Sequence, residues 1–283
     1  MSLQQRKTRI LVAIAFFGSP GVCRADDDPR PDTEQAERPH EQDSRYGLHF
    51  SHPLVAESPS PDTKARFDYF FRRTHDGEEK ARQHTLRFEG EYAFHPTFSV
   101  EVDVPFTFLD PDSESSESGL ENVEVGLKAA NFAFAEYGLL LGYGVEFGLP
   151  TGDEGKGIGS DHESEIEPFV DVGFKYHELE IIGFGSFGFP TNQGEGEEVE
   201  NEFGFNLSAL YHVNEQFMGL VELDGETALN GHEEGETVVN LTPGVKFHPF
   251  ENRALQIGVG VSFPISGREE FEFQGLLAVF CHF

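Results

Sequence analysis

The sequence predicts an all-β fold, a transmembrane antiparallel up-and-down β-barrel of about twelve strands. Three observations carry this. Apolar residues recur at every second position through one segment after another, and a strand sends alternate side chains to opposite faces. The connections between segments alternate between short and long. The last segment keeps one face apolar to the final residue: reading back from Phe283, that face is Cys281, Val279, Leu277, Gly275, Phe273 and Phe271. Such a face frays in water and is stable in lipid, and a closed barrel lets strands cross a bilayer with every backbone group satisfied.

Composition fits. The formal net charge is −31 and the mean hydropathy −0.40. A chain this polar can be membrane-embedded if each crossing segment is half polar, as in barrels. No basic footprint exists for nucleic acid. Of the two cysteines, only Cys281 would survive export, so no intramolecular disulfide is expected.

Residues 1–25 read as a cleaved signal peptide: Arg6, Lys7 and Arg9 are basic, Ile10 to Phe17 form a short apolar run, and Cys23-Arg24-Ala25 resembles a cleavage site. A lipid-acylated Cys23 is the competing reading, although Pro20-Gly21-Val22 does not match a lipobox. Residues 26–63, rich in Pro, Asp, Glu and Arg, are expected to form a flexible acidic periplasmic segment, with a short strand at Tyr46 to Phe50. Residues 64–283 form the barrel. Beyond the leader no apolar run is long enough for a transmembrane helix.

The strands are expected at 64–73, 83–94, 98–109, 121–131, 137–149, 165–176, 179–190, 201–212, 216–226, 237–248, 253–264 and 270–283. The alternation is clearest in Leu86/Phe88/Gly90/Tyr92/Phe94, in Phe98 to Phe108, in Leu139 to Leu149 and in Leu255 to Phe263. In 179–190 the glycines leave the phase open. Tight connections at His95-Pro96, 132–136, His177-Glu178, Asn214-Glu215 and 248–252 would be periplasmic. Long acidic ones at 74–82, 110–120, 151–164, 191–200 and 227–236 would be extracellular. An apolar-Pro step at Pro105, Pro150, Pro190 and Pro264 would mark strand ends, because proline lacks a ladder donor.

If the uniform apolar set faces lipid, the other set lines the lumen: Arg87, Glu89, Glu91, Glu101, Asp103, Glu124, Lys128, Glu146, Glu167, Asp171, Lys175, Glu222, Asp224 and Lys246. On the lipid side a Lys or Arg at midplane costs about 2–4 kcal/mol. Inside, Glu124 with Lys128, or Asp171 with Lys175, lie on one face of their strands and can join an ion-pair lattice. The alternative is a net-negative path that tolerates cations. The chain lacks Trp, so Phe94, Phe98, Tyr137, Tyr176 and Tyr211 would form the aromatic rim. Enzymatic readings are weak. Asp161-His162 is one adjacent pair in an acidic loop, and Gly231 to Glu236 lacks fixed metal-ligand spacing. No catalysis, metal or cofactor is expected.

Two resemblances follow from these residues. The terminal aromatic Phe283 resembles the signal read by the outer-membrane assembly machinery. The segments Gly119-Leu-Glu-Asn-Val-Glu-Val-Gly-Leu-Lys128, Val145-Glu-Phe-Gly-Leu-Pro-Thr-Gly-Asp153 and Glu167-Pro-Phe-Val-Asp-Val-Gly-Phe-Lys175 resemble an outer-membrane family assigned to the MetA pathway of phenol degradation. Glu121-Asn122 stands where Gly-Asp is usual, and Ala129-Ala130 where an aromatic is usual. The resemblance implies an outer-membrane barrel passing small, often aromatic or hydrophobic molecules. Independently of it, the apolar face would meet outer-membrane lipid, and the acidic loops would bridge to lipopolysaccharide phosphates through divalent ions. The resemblance implies no catalytic residues. The leading function is therefore passive, selective diffusion of a small molecule, and the alternative is a non-transporting structural or surface-interaction barrel.

Overall fold

The computed structural model describes residues 46–76, 79–112, 115–191, 200–231, 234–250, 254–266 and 271–283. The expected signal peptide and residues 26–45 lie outside them.

Thirteen strands run in chain order: β1 (Lys64–Asp76), β2 (Glu79–His95), β3 (Phe98–Pro111), β4 (Glu117–Leu120), β5 (Val123–Asn131), β6 (Leu139–Leu149), β7 (Ser164–Tyr176), β8 (Leu179–Thr191), β9 (Glu202–His212), β10 (Phe217–Ala228), β11 (Thr237–Phe247), β12 (Leu255–Ser266) and β13 (Phe271–His282). Twelve are staves, each antiparallel to its sequence neighbours; β4 is a short extra strand on the outer part of β3. β13 returns to β1 in register from Lys64↔His282 to Arg73↔Phe273, which closes the barrel. Among the described residues the ring of twelve staves has no open edge, the condition for strands at membrane depth.

The two faces are inverted relative to a water-soluble protein. Outward positions such as Phe88, Phe108, Leu127, Val170, Phe187, Leu207 and Val245 are exposed, whereas Lys64, Arg66, Asp68, Arg87, Glu89 and Glu222 are buried inside. An apolar exterior this continuous matches hydrocarbon rather than water. At the end carrying the tight turns, Phe94, Phe98, Tyr137, Tyr176 and Tyr211 are all exposed, so phenylalanine and tyrosine form the girdle without tryptophan.

Three sequence expectations are corrected. β1 and β2 run to Asp76 and from Glu79, so the long connection expected at 74–82 is largely strand. Pro105 lies inside β3. Pairing with β5 stops at Asp103↔Glu124 and pairing with β4 starts at Phe106↔Leu120. The carbonyl of Pro105 accepts from Glu121 N–H at 3.0 Å on that side, so the missing donor falls where no ladder partner stands. The third correction is at the start of β13. A register shift between Arg73 and Thr74 turns Phe271 inward, under the Arg72 guanidinium at 4.8 Å from the ring centroid. Glu272 is turned outward to Arg73, at 3.1 Å. A bulge reverses which face each residue meets.

Candidate functional site: an occluded lumen

Residues 46–63 enter the barrel and block it near the turn end. The sequence reading placed 26–63 in the periplasm as a flexible segment; the described part of it is instead packed in the lumen. The expected strand at Tyr46 to Phe50 is also absent, because these residues lie against the wall without ladder pairing. Tyr46 meets Phe132 edge-on at 5.2 Å. The chain then folds over itself: Phe50 N–H donates to Ser60 Oγ at 2.9 Å, and the Ser58 hydroxyl to Phe50 O at 3.3 Å. Phe50 and Leu54, both buried, pack with Ala130, Leu140, Ile182, Leu210, Met218, Leu220, Ala278 and Phe280. Those wall residues all point inward. Glycines on the wall make room: a Cβ at Gly173 would sit 2.7 Å from the Phe50 ring, and one at Gly258 2.5 Å from Leu54 Cδ2.

Wall charges satisfy the segment's backbone, which has no strand or helix partners of its own. Glu222 accepts from the N–H groups of Leu54 (2.6 Å), Val55 (3.1 Å) and Ala56 (3.2 Å), and from Ser208 Oγ (3.1 Å). Glu180 accepts from Ser51 N–H at 2.7 Å, with Lys175 Nζ at 2.7 Å and His212 Nε2 at 2.8 Å. Arg66 donates to Leu54 O at 2.6 Å and Lys175 to His49 O at 3.2 Å. Lys246, buried over the Phe280 ring, donates to His52 O. Lys128 holds Glu57 of the segment at 2.9 Å and Glu101 of the wall at 3.3 Å.

Asp62, where the segment meets β1, faces His52 (3.2 Å) and His282 (2.8 Å). Burial alone would raise its pKa, but hydrogen bonds to these two imidazoles hold it well below the usual carboxylate range. Burial pushes His52 well below its ordinary value, reinforced by the Lys64 charge and opposed by Asp62. Burial would also raise Glu57, yet the cations of Lys128 and Lys64 keep it well below its ordinary value.

These directions set a pH response. The groups around His52 are Asp62, Lys64, His282 and His49, with Lys246 on its carbonyl. A lowered docked pKa means that the released segment binds more protons than the docked one. Docking is therefore strongest at neutral pH and weakens as pH falls below about 6.5. Asp62 and Glu57, also held low, add their loss only below about pH 4. Lumen conductance should rise between pH 7 and pH 5, and His52→Gln should flatten that part of the profile. A conductance that falls over the same interval would contradict the docked, neutral histidine.

All fourteen sequence-predicted lumen residues lie at buried or half-buried positions inside the barrel, and they fall into three groups. Lys128, Lys175, Glu222 and Lys246 hold the segment. Arg87, Glu89, Glu91 and Asp103 join a lattice on β1–β3. There Lys64 bridges Glu89 and Glu91, Arg66 reaches Asp68 (2.8 Å) and Glu89 (3.3 Å), and Arg87 reaches Asp68 (2.6 Å) and Asp103 (3.8 Å). Glu101, Glu124, Glu146, Glu167, Asp171 and Asp224 line the wall, and Asp224 accepts from Asn240 at 2.9 Å. The same-strand ion pairs expected for Lys128 with Glu124 and Lys175 with Asp171 give way to the contacts above, to the segment and to neighbouring strands. The sequence reading missed Lys64, Arg66, Asp68 and Glu180 in the wall and His52, Glu57 and Asp62 in the segment.

The Asp161-His162 pair sits in the 150–163 connection. His162 Nδ1 lies 3.0 Å from Glu154 and 3.1 Å from Asp161, with the acids exposed. His232 and Glu233, from the second loop motif, lie outside the described residues.

No family model matches the sequence, and no curated protein does. Among solved structures the chain is similar to an outer membrane channel from Pseudomonas putida F1, at 12% identity over 83% of this chain and 98% of that one, TM-score 0.62. It is also similar to the NanC porin, at 10% identity over 78% and 98%, TM-score 0.52. A third is the translocator domain of the autotransporter NalP from Neisseria meningitidis, at 12% identity over 78% and 88%, TM-score 0.51. At these identities the likeness is one of fold: the chain is a closed twelve-stave antiparallel β-barrel of the outer-membrane type.

Proposed function

We propose that the chain is an outer-membrane channel for passive, selective diffusion of a small molecule, kept shut near its turn end by its own residues 46–63. One observation carries this reading: the block is made by a segment outside the barrel wall. Eight-stranded barrels are filled by side chains, and sixteen-stranded ones leave an aqueous channel. A twelve-stave barrel lies between, and here its interior accepts a folded-back chain. The segment is attached to the wall by hydrogen bonds, ion pairs and a small apolar cluster, with no β-ladder. It can leave without breaking the barrel.

The long connections would face outward and the turns the periplasm, with export by the leader and Phe283 as the assembly signal. The family resemblance makes small aromatic or hydrophobic molecules the first passengers to test. In planar bilayers the refolded full chain should open rarely and favour cations, because acidic walls raise local cation concentration. That preference should weaken near 1 M salt. If the chain stays silent both with and without residues 46–63, the structural or surface-interaction barrel is the better reading.

Phe283 offers a separate check. Its side chain is exposed, while its N–H donates to Thr63 O at 3.1 Å. Deleting it removes little packing. If it is the assembly signal, the deletion should sharply reduce heat-modifiable barrel in outer membranes while the refolded protein keeps its stability. Unchanged assembly at equal expression would remove that role.

A further inference from the structure

The inner wall has two apolar gaps, and residues 46–63 fill both. The first lies on β6 to β8. Cα register sets Gly173 directly between Leu140 and Ile182, both of them fully buried, so an inward row reads Leu, Gly, Ile. A Cβ at Gly173 would lie 2.7 Å from Cζ and 2.8 Å from Cε1 of Phe50. That is closer than side chains pack, so the far edge of the Phe50 ring occupies the space a side chain would need. The second gap lies on β10 to β13, where the row is Leu220, Gly244, Gly260 and Leu276. A Cβ would lie 2.7 Å from Leu54 Cδ1 at Gly244 and 2.9 Å from it at Gly260. Glycine weakens a strand interior and often marks a close approach, and here each approach is made by one apolar side chain of the segment.

The occupant is detachable and the gaps are not. Phe50 and Leu54 belong to a segment without ladder pairing, whereas Leu140, Gly173 and Ile182 are fixed in staves. Once the segment leaves, this row faces the lumen as a dent lined by hydrocarbon. Its three side-chain positions offer water no hydrogen bond, and water is a poor filler of such a site. An apolar molecule the size of the Phe50 side chain recovers the lost burial. The two gaps differ in what they select. The second is two glycines wide and takes any branched alkyl group. The first is one glycine wide with a bulky side chain on either hand, a slot for the edge of a flat ring. A ring in that slot and a docked Phe50 exclude each other, and a ligand that binds one of two states shifts the balance toward it.

We infer that the slot formed by Leu140, Gly173 and Ile182 is a binding site for a single-ring aromatic molecule, which opens the lumen by taking the place of Phe50. The inference rests on the channel reading, for which it names the class of passenger and the gating, but binding is also measured without flux. The refolded full-length protein is studied with benzene as the probe. In planar bilayers benzene should raise the open fraction saturably, by about a hundredfold at a hundred times its dissociation constant. Phe50→Ala should reverse the sign. Its segment still docks through Leu54 and the polar contacts, the slot beneath is left empty, and an empty apolar cavity takes up benzene. Benzene should then bind saturably in calorimetry and lower the open fraction. Gly173→Val added to Phe50→Ala fills the slot and should weaken benzene by about tenfold or more. Ile182→Thr, which brings a hydroxyl into the slot, should weaken it by less and serves if the valine prevents folding; heat modifiability reports the fold. The inference is overturned if folded Phe50→Ala shows no saturable binding, or if neither slot substitution weakens benzene in folded protein. A conducting unsubstituted protein whose open fraction ignores benzene overturns it too. Benzene binding that Gly173→Val removes, in a barrel silent even without residues 46–63, would uphold the site and reject the channel reading.

Discussion

Joining residue 45 directly to Lys64 should turn a mostly silent barrel into one that stays open. The docked segment buries Phe50 and Leu54 completely, each worth about 1.5–3 kcal/mol. It also accepts or donates charge-assisted hydrogen bonds at Glu222, Glu180, Arg66 and Lys128, each worth roughly 1.5–3 kcal/mol. Ordering entropy offsets much of this sum. A net docking free energy of about 4 kcal/mol corresponds to roughly a thousandfold bias toward the closed state. Deletion should raise the open fraction by about that factor. It should also lower barrel stability, because Leu140, Ile182, Leu210, Leu220 and Phe280 would face water. Conductance and the midpoint of heat modifiability measure the two effects separately. Glu222→Gln is the milder version, because it keeps the chain but weakens the acceptor of three backbone N–H groups. It should shift docking by about 2 kcal/mol, on the order of thirtyfold. A deletion variant that folds and stays silent would mean that the β1–β3 ion lattice, not the segment, closes the lumen.

Most of the barrel was legible because strand physics is local. Alternation gave the twelve staves to within a few residues, and charge parity put Glu89, Glu101, Glu146 and Glu222 inside. The segment was not legible because its contacts are long-range. Leu54 meets Glu222, and His52 meets Lys246, across more than half the chain. Residues 46–63 have no periodicity, and their backbone is satisfied by wall side chains, which no local pattern reports. A signal did exist on the wall. Leu140, Leu210, Leu220, Ala278 and Phe280 occupy inward parity, where a water-filled lumen has no use for them. Several share their strands with inward glycines, among them Gly142 beside Leu140, and Gly173 and Gly258 lie on other walls of the same half. Apolar side chains and gaps on the same inner half of a barrel mean that something fills it. Phe271 was misassigned for a different reason: a bulge at Arg73/Thr74 breaks the alternation, and strict parity cannot anticipate one.

Lys128→Met is the sharpest test of how the segment and wall depend on each other. Lys128 is 3% exposed. It lies 2.9 Å from Glu57 of the segment and 3.3 and 3.5 Å from Glu101 and Glu91 of the wall. Removing it leaves three buried carboxylates with Lys64 as the remaining close cation, bound to Glu91 at 2.9 Å. Breaking a buried pair from one side costs about 3–5 kcal/mol, mostly from the uncompensated charge. The protein can relieve that cost cheaply by expelling Glu57 with its segment, because Glu91 and Glu101 are fixed in ladders and Glu57 is not. Lys128→Met should therefore open the lumen at neutral pH before it unfolds the barrel. Adding Glu57→Gln removes the repelling charge from the segment and should restore closure, with a coupling of roughly 1–3 kcal/mol between the two substitutions. Glu101→Gln in the same background should raise the heat-modification midpoint and leave the segment's docking less improved. If the Lys128 and Glu57 effects simply add, the two residues do not share a contact, and residues 46–63 do not lie where the structure places them.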